Sequence, residues 1–265
     1  MKPEILVSTM NLTNEKDYNK LLKDMNITGN SVVINQCPDT SIEMKNITTG
    51  KNRLYSFNDK GLSKSRNMAI NKSLSPISLI ADDDMRYVDD YEQIIIEAYN
   101  KYKDADIIAF YVSSDNPNNV KPKLKEGRVS GLNTFKIQSV QLSFKNNVIK
   151  EKGLKFDENF GAGSKFFMGE ENIFLSDCIR SRLKIYSYPV EIARLNNRES
   201  TWFKGYNEEY FQVKGACFYR INKLFWIILV LQFIIRKRKE YKKSISSFNA
   251  FKHMAIGKKI YKETL

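Results

Sequence analysis

The sequence predicts an α/β protein: a Rossmann-like, mostly parallel sheet flanked by helices, with a helical C-terminal extension. Three observations carry this prediction. Short β-rich runs alternate with helix-period segments across residues 4–112, the pattern of successive βαβ units. One of those runs ends abruptly in three carboxylates, Asp82-Asp83-Asp84. Near the other end, an apolar stretch at 224–235 runs directly into Arg236-Lys237-Arg238-Lys239.

The elements follow in order. Glu4–Met10 (EILVSTM) reads as the first, central strand. Asn14 is placed to cap a helix through Met25, with Tyr18, Leu21, Leu22 and Met25 at helical spacing. Ser31–Gln36 reads as a second buried strand, broken by Pro38-Asp39, and Arg53–Phe57 as a third. Asn58-Asp59-Lys60-Gly61 makes a turn, after which Ser63 can cap a helix to about Lys72. Ile77–Ala81 is the strand that delivers the acidic cluster. Val88-Asp89-Asp90-Tyr91 opens a helix through Tyr102, and Asp106–Val112 returns as a strand. Ser113–Arg128 is polar with two prolines and reads as a loop; from Thr134 the pattern is less regular. Gly161-Ala162-Gly163-Ser164 reads as a flexible turn, Gly169-Glu170-Glu171-Asn172 as a helix start, and Leu183–Tyr188 as a further strand.

At 265 residues the chain accommodates one large α/β domain with an appendage, here divided at residues 1–215 and 216–265. Cys37, Cys178 and Cys217 are scattered, odd in number and without CxxC pairing, which argues against a disulfide framework or a zinc site and fits a reducing cytosol. Met1-Lys2-Pro3-Glu4 leads straight into a strand, so no signal peptide is expected. The net charge of +13 is uneven: residues 204–265 hold 14 Lys/Arg against 4 Asp/Glu. That asymmetry points to an anionic membrane surface or nucleic acid as the tail's partner. Twelve apolar residues make a helix of about 18 Å, short of the hydrocarbon core of about 30 Å. Residues 224–235 therefore read as an interfacial helix anchored by its basic flank, or as a buried core helix with a solvated end.

Strand alternation would point Asp82 and Asp84 the same way and Asp83 oppositely. Two same-facing carboxylates at a strand's C-terminal end suit a hard divalent cation that also holds phosphates; a solvated acidic turn is the plainer reading. Gly61-Leu62-Ser63-Lys64-Ser65-Arg66-Asn67 places an arginine in a first helical turn, suited to a nucleotide phosphate or equally to a structural ion pair. Phe156-Asp157-Glu158-Asn159-Phe160-Gly161 sets acids beside a glycine loop ahead of Glu170-Glu171. An acid there can act as a general base, although acids in a first turn also favour the helix dipole.

Taken in order, Thr9 and Asn11, GLSKSRN, ADDD, FDENFGAG and GEEN resemble the family 2 glycosyltransferases with a GT-A fold, of the kind that build bacterial capsule or O-antigen polysaccharides. The resemblance covers residues 4 to about 215. It implies Asp82 and Asp84 as the metal-binding DxD pair for Mn²⁺ or Mg²⁺, with Asp83 on the donor side. It implies Arg66 on the nucleotide side, and Thr9, Asn11, Gln36 and Asp39 at the lip of the base and ribose pocket. Glu171 matches the acid that deprotonates the acceptor, with Glu170 as its rival; Trp202 and Gly169 fall on the acceptor side.

The chain departs from the family pattern at Ser8, Met10 and Gln36-Cys37, and near the last strand, where Leu195–Trp202 holds no histidine. His253, the single histidine, lies in the tail.

The activity so implied is an inverting transfer of a hexose or N-acetylhexosamine from a nucleotide-diphosphate sugar, a UDP-sugar in the first instance. The acceptor would be a lipid-linked saccharide, and the enzyme would sit peripherally on the cytoplasmic face of the membrane. Two other classes compete. A nucleic-acid-binding protein would interleave basic and aromatic residues on the body, whereas here the positive charge gathers beside an apolar run, so no nucleic acid is expected. A sugar-nucleotide-binding protein with a decayed site would not keep Asp82, Asp84 and Glu171.

Overall fold

A computed structural model describes residues 2–38, 46–114, 122–196, 203 and 205–265. Its centre is a ten-stranded sheet. The first strand, β1 (Pro3–Met10), is buried along nearly its whole length because β2 (Asn30–Gln36) and β5 (Ile77–Asp82) pair with it in parallel on either side. β3 (Ile47–Thr49) and β4 (Asn52–Phe57) extend the β2 edge. On the β5 side, β9 (Leu142–Lys145) is inserted antiparallel between β5 and β7 (Ile107–Ser114). β10 (Ile185–Leu195) then runs parallel to β7, and the short strands β6 (Met85–Tyr87) and β8 (Gly127–Val129) pair with β10 antiparallel. Its register shifts between Tyr188 and Glu191, where Pro189 has no N–H to give the ladder.

Alternation along β1 separates the two faces. Ile5 and Val7 pack with α1 (Glu15–Asp24) and α3 (Tyr91–Lys101) on one face. Leu6 packs with α2 (Leu62–Lys72) and α5 (Glu170–Arg180) on the other. α1 begins where expected, with Asn14 accepting from the Asp17 amide at 2.9 Å. α2 does not: its cap is Gly61, and Ser63 lies inside the first turn with its hydroxyl donating to the Phe160 carbonyl at 2.6 Å. A short helix, α4 (Asn146–Glu151), follows β9.

The C-terminal region is three helices, α6 (Glu208–Ile221), α7 (Trp226–Tyr241) and α8 (Ser247–Lys262). α6 runs through the expected boundary at residue 215. The three helices share an aromatic-rich core with Phe160, Phe166 and Met168 of the loop ahead of α5. α7 is two-faced: Trp226, Val230, Phe233 and Ile234 are buried, while Ile228, Leu231 and Ile235 are exposed, as are Leu224 and Phe225 just ahead of it. Among the described residues, no helix is long and apolar enough to cross a membrane.

Candidate active site

Chain order turns back at β1, with β2 and β4 to one side and β5 to the other. The crevice at the C-terminal ends of these strands is where open α/β sheets bind ligands, and the motifs converge there. β5 ends at Asp82, and Asp83-Asp84 form a turn into β6. Strand alternation therefore does not govern the three acids, as their spacing had suggested. All three are half-buried, and Asp83 accepts from the Thr9 hydroxyl at 2.8 Å.

Arg66 is the hub. Its side chain is 1% exposed; Nη2 donates to Asp82 Oδ1 at 3.0 Å and to Ser139 Oγ at 2.9 Å, and Nη1 donates to Glu170 Oε1 at 2.9 Å. Burial opposes its charge, but Asp82 and Glu170 more than offset that, so its pKa lies above the ordinary arginine value. A guanidinium so enclosed is a strut between the acidic turn and the start of α5, and not the exposed phosphate ligand that its place in the motif suggests.

The rest of α2's first two turns is tied to the loop ahead of α5. Asn67 donates to the Phe156 carbonyl at 2.9 Å and accepts from its amide at 2.8 Å, and the Leu62 amide donates to the Ala162 carbonyl at 2.9 Å. Gly161 adopts φ +104° where a Cβ would stand 3.1 Å from Ser63 Oγ, so a glycine is required for this close approach. GLSKSRN and FDENFGAG are thus two halves of one contact.

Glu170 and Glu171 open α5 but differ in environment. Glu170 is buried in its ion pair with Arg66. Glu171 is half-buried and accepts from Asn172 Nδ2. Its carboxyl is pushed up to about 7, first by its poorly hydrated surroundings and then by the negative charge of Glu170; Lys214 and Arg66 pull the other way. Glu170 is thus held in an ion pair, while the Glu171 carboxyl is held above the ordinary carboxylate range.

Several expected contact residues turn inward. Thr9 and Gln36 are 3% and 4% exposed. The Gln36 carboxamide is spent on the Gly61 amide at 2.8 Å and the Thr9 carbonyl at 3.3 Å, so both residues scaffold the strand ends. Asn11 is exposed just past β1, in a left-handed turn at φ +56°. Gly169 is buried, and a Cβ there would lie 2.6 Å from Cys217 Sγ, so the glycine lets α5 fit against α6. Asp39 and Trp202 lie outside the described residues. Ser139 and Lys214 were not foreseen: one sits in a short 3₁₀ turn and the other in a helix without a motif.

A polar cleft of about 490 Å³ is lined by Lys155, Asp157, Asp177, Arg180 and Arg220. Arg220 pairs there with Asp157 at 2.7 Å and with Asp177 at 2.9 Å.

No protein-family profile matches the chain, and no curated protein is similar to it in sequence. Solved structures are similar in fold. S. aureus TarS residues 1–349 bound to UDP-GlcNAc superpose with a TM-score of 0.61 at 14% identity, covering 93% of this chain and 76% of that one. A second structure of TarS residues 1–349 gives 0.63 at 13%, covering 97% and 81%. A further TarS structure gives 0.59 at 13%, covering 93% of this chain and 46% of that one. The mostly parallel sheet flanked by helices found here is the GT-A fold that these structures share.

Proposed function

We propose that the protein is an inverting, metal-dependent glycosyltransferase that moves a sugar from a UDP-sugar to a hydroxyl of a lipid-linked saccharide, in bacterial surface-polysaccharide synthesis. The observation that carries the reading is the Arg66 bridge. It ties Asp82, at the end of β5, to Glu170, beside a Glu171 whose pKa lies near 7. The TarS structures hold UDP-GlcNAc or UDP, which supports a nucleotide-sugar donor for this fold.

Asp82 and Asp84 offer hard oxygen donors suited to Mg²⁺ or Mn²⁺. Among the described residues no group of three or more ligating side chains gathers, so donor phosphates and water would complete the shell. When bound, the ion would supply charge stabilisation for the leaving nucleoside diphosphate. Asp82 is held for this task by Arg66, and Asp83 by Thr9. Glu171 would take the proton from the acceptor hydroxyl as its oxygen bonds to the anomeric carbon. The bond from that carbon to the diphosphate oxygen breaks, the diphosphate keeps the electron pair, and the anomeric configuration inverts. A base with a pKa close to ambient pH suits this role.

The exposed apolar face of α7 and the basic residues Arg236–Lys239, Lys242 and Lys243 support peripheral attachment to the anionic inner face of the cell membrane. Screening nucleotide sugars with Mn²⁺ for thermal stabilisation and slow donor hydrolysis tests the reading. Stabilisation by UDP-sugars that depends on metal is expected, and no response to any nucleotide sugar would refute it.

A further inference from the structure

Arg220, near the C-terminal end of α6, holds two acids at once. Its Nε donates to Asp157 Oδ2 at 2.7 Å, and Nη1 and Nη2 donate to Asp177 Oδ1 and Oδ2 at 3.2 and 2.9 Å. Both carboxylates are mostly shielded from water, at 11% and 17% exposed. The planar guanidinium fork is what permits this double grip. Each acid leads towards the start of α5. Asp157 shapes the loop ahead of that helix, because its Oδ1 accepts from the Asn159 amide at 3.1 Å. The same loop returns through Gly161, where a Cβ would stand 3.4 Å from Cγ and Cδ of Glu170. Asp177 lies on α5 seven residues after Glu170, so the two share a face of the helix. Three residues before Arg220, Cys217 meets Gly169, the cap of α5, with Sγ 3.8 Å from its carbonyl oxygen. Tyr261 of α8 backs the loop, its ring centre 5.4 Å from that of Phe160 and 5.8 Å from that of Phe166.

We propose that Arg220 is a positioning residue for Glu171: by gripping Asp157 and Asp177 together, it braces the loop and α5 into one unit that presents the base at a fixed place. The inference rests on the glycosyltransferase reading and adds that the C-terminal helices belong to the catalytic unit. Arg220 acts through the two acids and the backbone they hold. Asp177 also pairs with Arg180, one turn further along α5, so losing Arg220 frees the loop more than the helix. The loop is the part that leans on Glu170, the neighbour of the base.

Arg220→Gln, Arg220→Lys, Asp157→Asn and the Arg220→Gln/Asp157→Asn double variant test this against the wild type, at a temperature where circular dichroism shows each fully folded. In Arg220→Gln, kcat for transfer should fall about 10- to 100-fold, the cost of moving a catalytic group by about 1 Å. The Kd for a UDP-sugar should stay as in the wild type, because the donor side is held by other residues. Arg220→Lys should recover part of the rate, since an ammonium can grip one acid and not both. Asp157→Asn should reproduce the fall and add little to it in the double variant, because both changes break the same bridge. An unchanged kcat in folded Arg220→Gln overturns the proposal. So does a loss shared equally by kcat and donor affinity, which marks a general defect. Amide hydrogen exchange gives a readout independent of activity: Arg220→Gln should quicken exchange across residues 156–172 and leave β1 and β5 as they were. If the wild type transfers no sugar, that local change keeps the brace and removes the transferase, while unchanged exchange overturns the brace.

Discussion

Arg66 and Glu170, 104 residues apart in sequence, meet as a buried ion pair with Nη1 2.9 Å from Oε1. Asp82 occupies the other arm of the same guanidinium. The acidic turn and the start of α5 are therefore mechanically joined through one side chain.

Replacing Arg66 with methionine leaves Glu170 buried and uncompensated. A loss of about 3–5 kcal/mol in unfolding free energy is expected, as for one partner removed from a buried pair. Chemical denaturation measures it. Arg66→Lys should recover part of that loss and not all, because an ammonium lacks the fork that reaches Asp82 and Glu170 together.

The raised pKa of Glu171 sets a pH dependence in two observables. Transfer should rise with pH through about 7 as the base deprotonates. Stability should move oppositely: a carboxyl whose folded pKa exceeds its unfolded value favours the fold while protonated. Its contribution is complete below the ordinary carboxylate range and is lost as pH rises towards 7. Glu171→Gln should flatten that part of the stability profile, which thermal unfolding between pH 4 and 8 would record.

Gly215 and Gly257 let α6 and α8 cross with backbones in contact. A Cβ on Gly215 would lie 2.0 Å from the Met254 carbonyl oxygen, and one on Gly257 1.7 Å from that of Gln212. Either alanine variant should destabilise the protein by about 1–3 kcal/mol or more, since backbone cannot give way as a side chain does. A melting temperature unchanged in both would mean that the helices do not cross this closely.

Most of the parallel sheet was legible in the sequence, because β1, β2, β5 and β7 are buried along most of their length and carry apolar runs; β4, half-buried apart from Leu54, was legible from its β-forming residues. The strands β3, β6, β8 and β9 were not, since each has three or four residues and depends on partners distant in sequence. The extent of β10 was hidden by Pro189, which halts a periodicity reading at Tyr188. At the site, the residue types in GLSKSRN, ADDD and GEEN were readable, but their division of labour was not. Nothing local to Arg66 says that it will be enclosed by acids at 82 and 170, and strand alternation fails at Asp83 because the chain turns there.

The membrane prediction concerns α7. Ile228→Glu with Leu231→Glu places charge on its exposed apolar face and leaves Val230 and Phe233 in the core. The intact protein should sediment with anionic vesicles, and the double variant should do so weakly. Raising salt should release the intact protein only in part, because the apolar contribution is not screened. Equal sedimentation of both proteins would assign the attachment elsewhere.

The central claim, that Glu171 is the base of a sugar transfer and Glu170 its structural neighbour, is tested most directly by one comparison. Transfer from a UDP-sugar to a saccharide acceptor is measured with Mn²⁺ for the wild-type protein and Glu171→Gln, with donor affinity determined in parallel. The account predicts a fall in transfer on the order of 100-fold or more with donor affinity retained, because the proton belongs to the acceptor. Transfer at the wild-type rate by Glu171→Gln would contradict it.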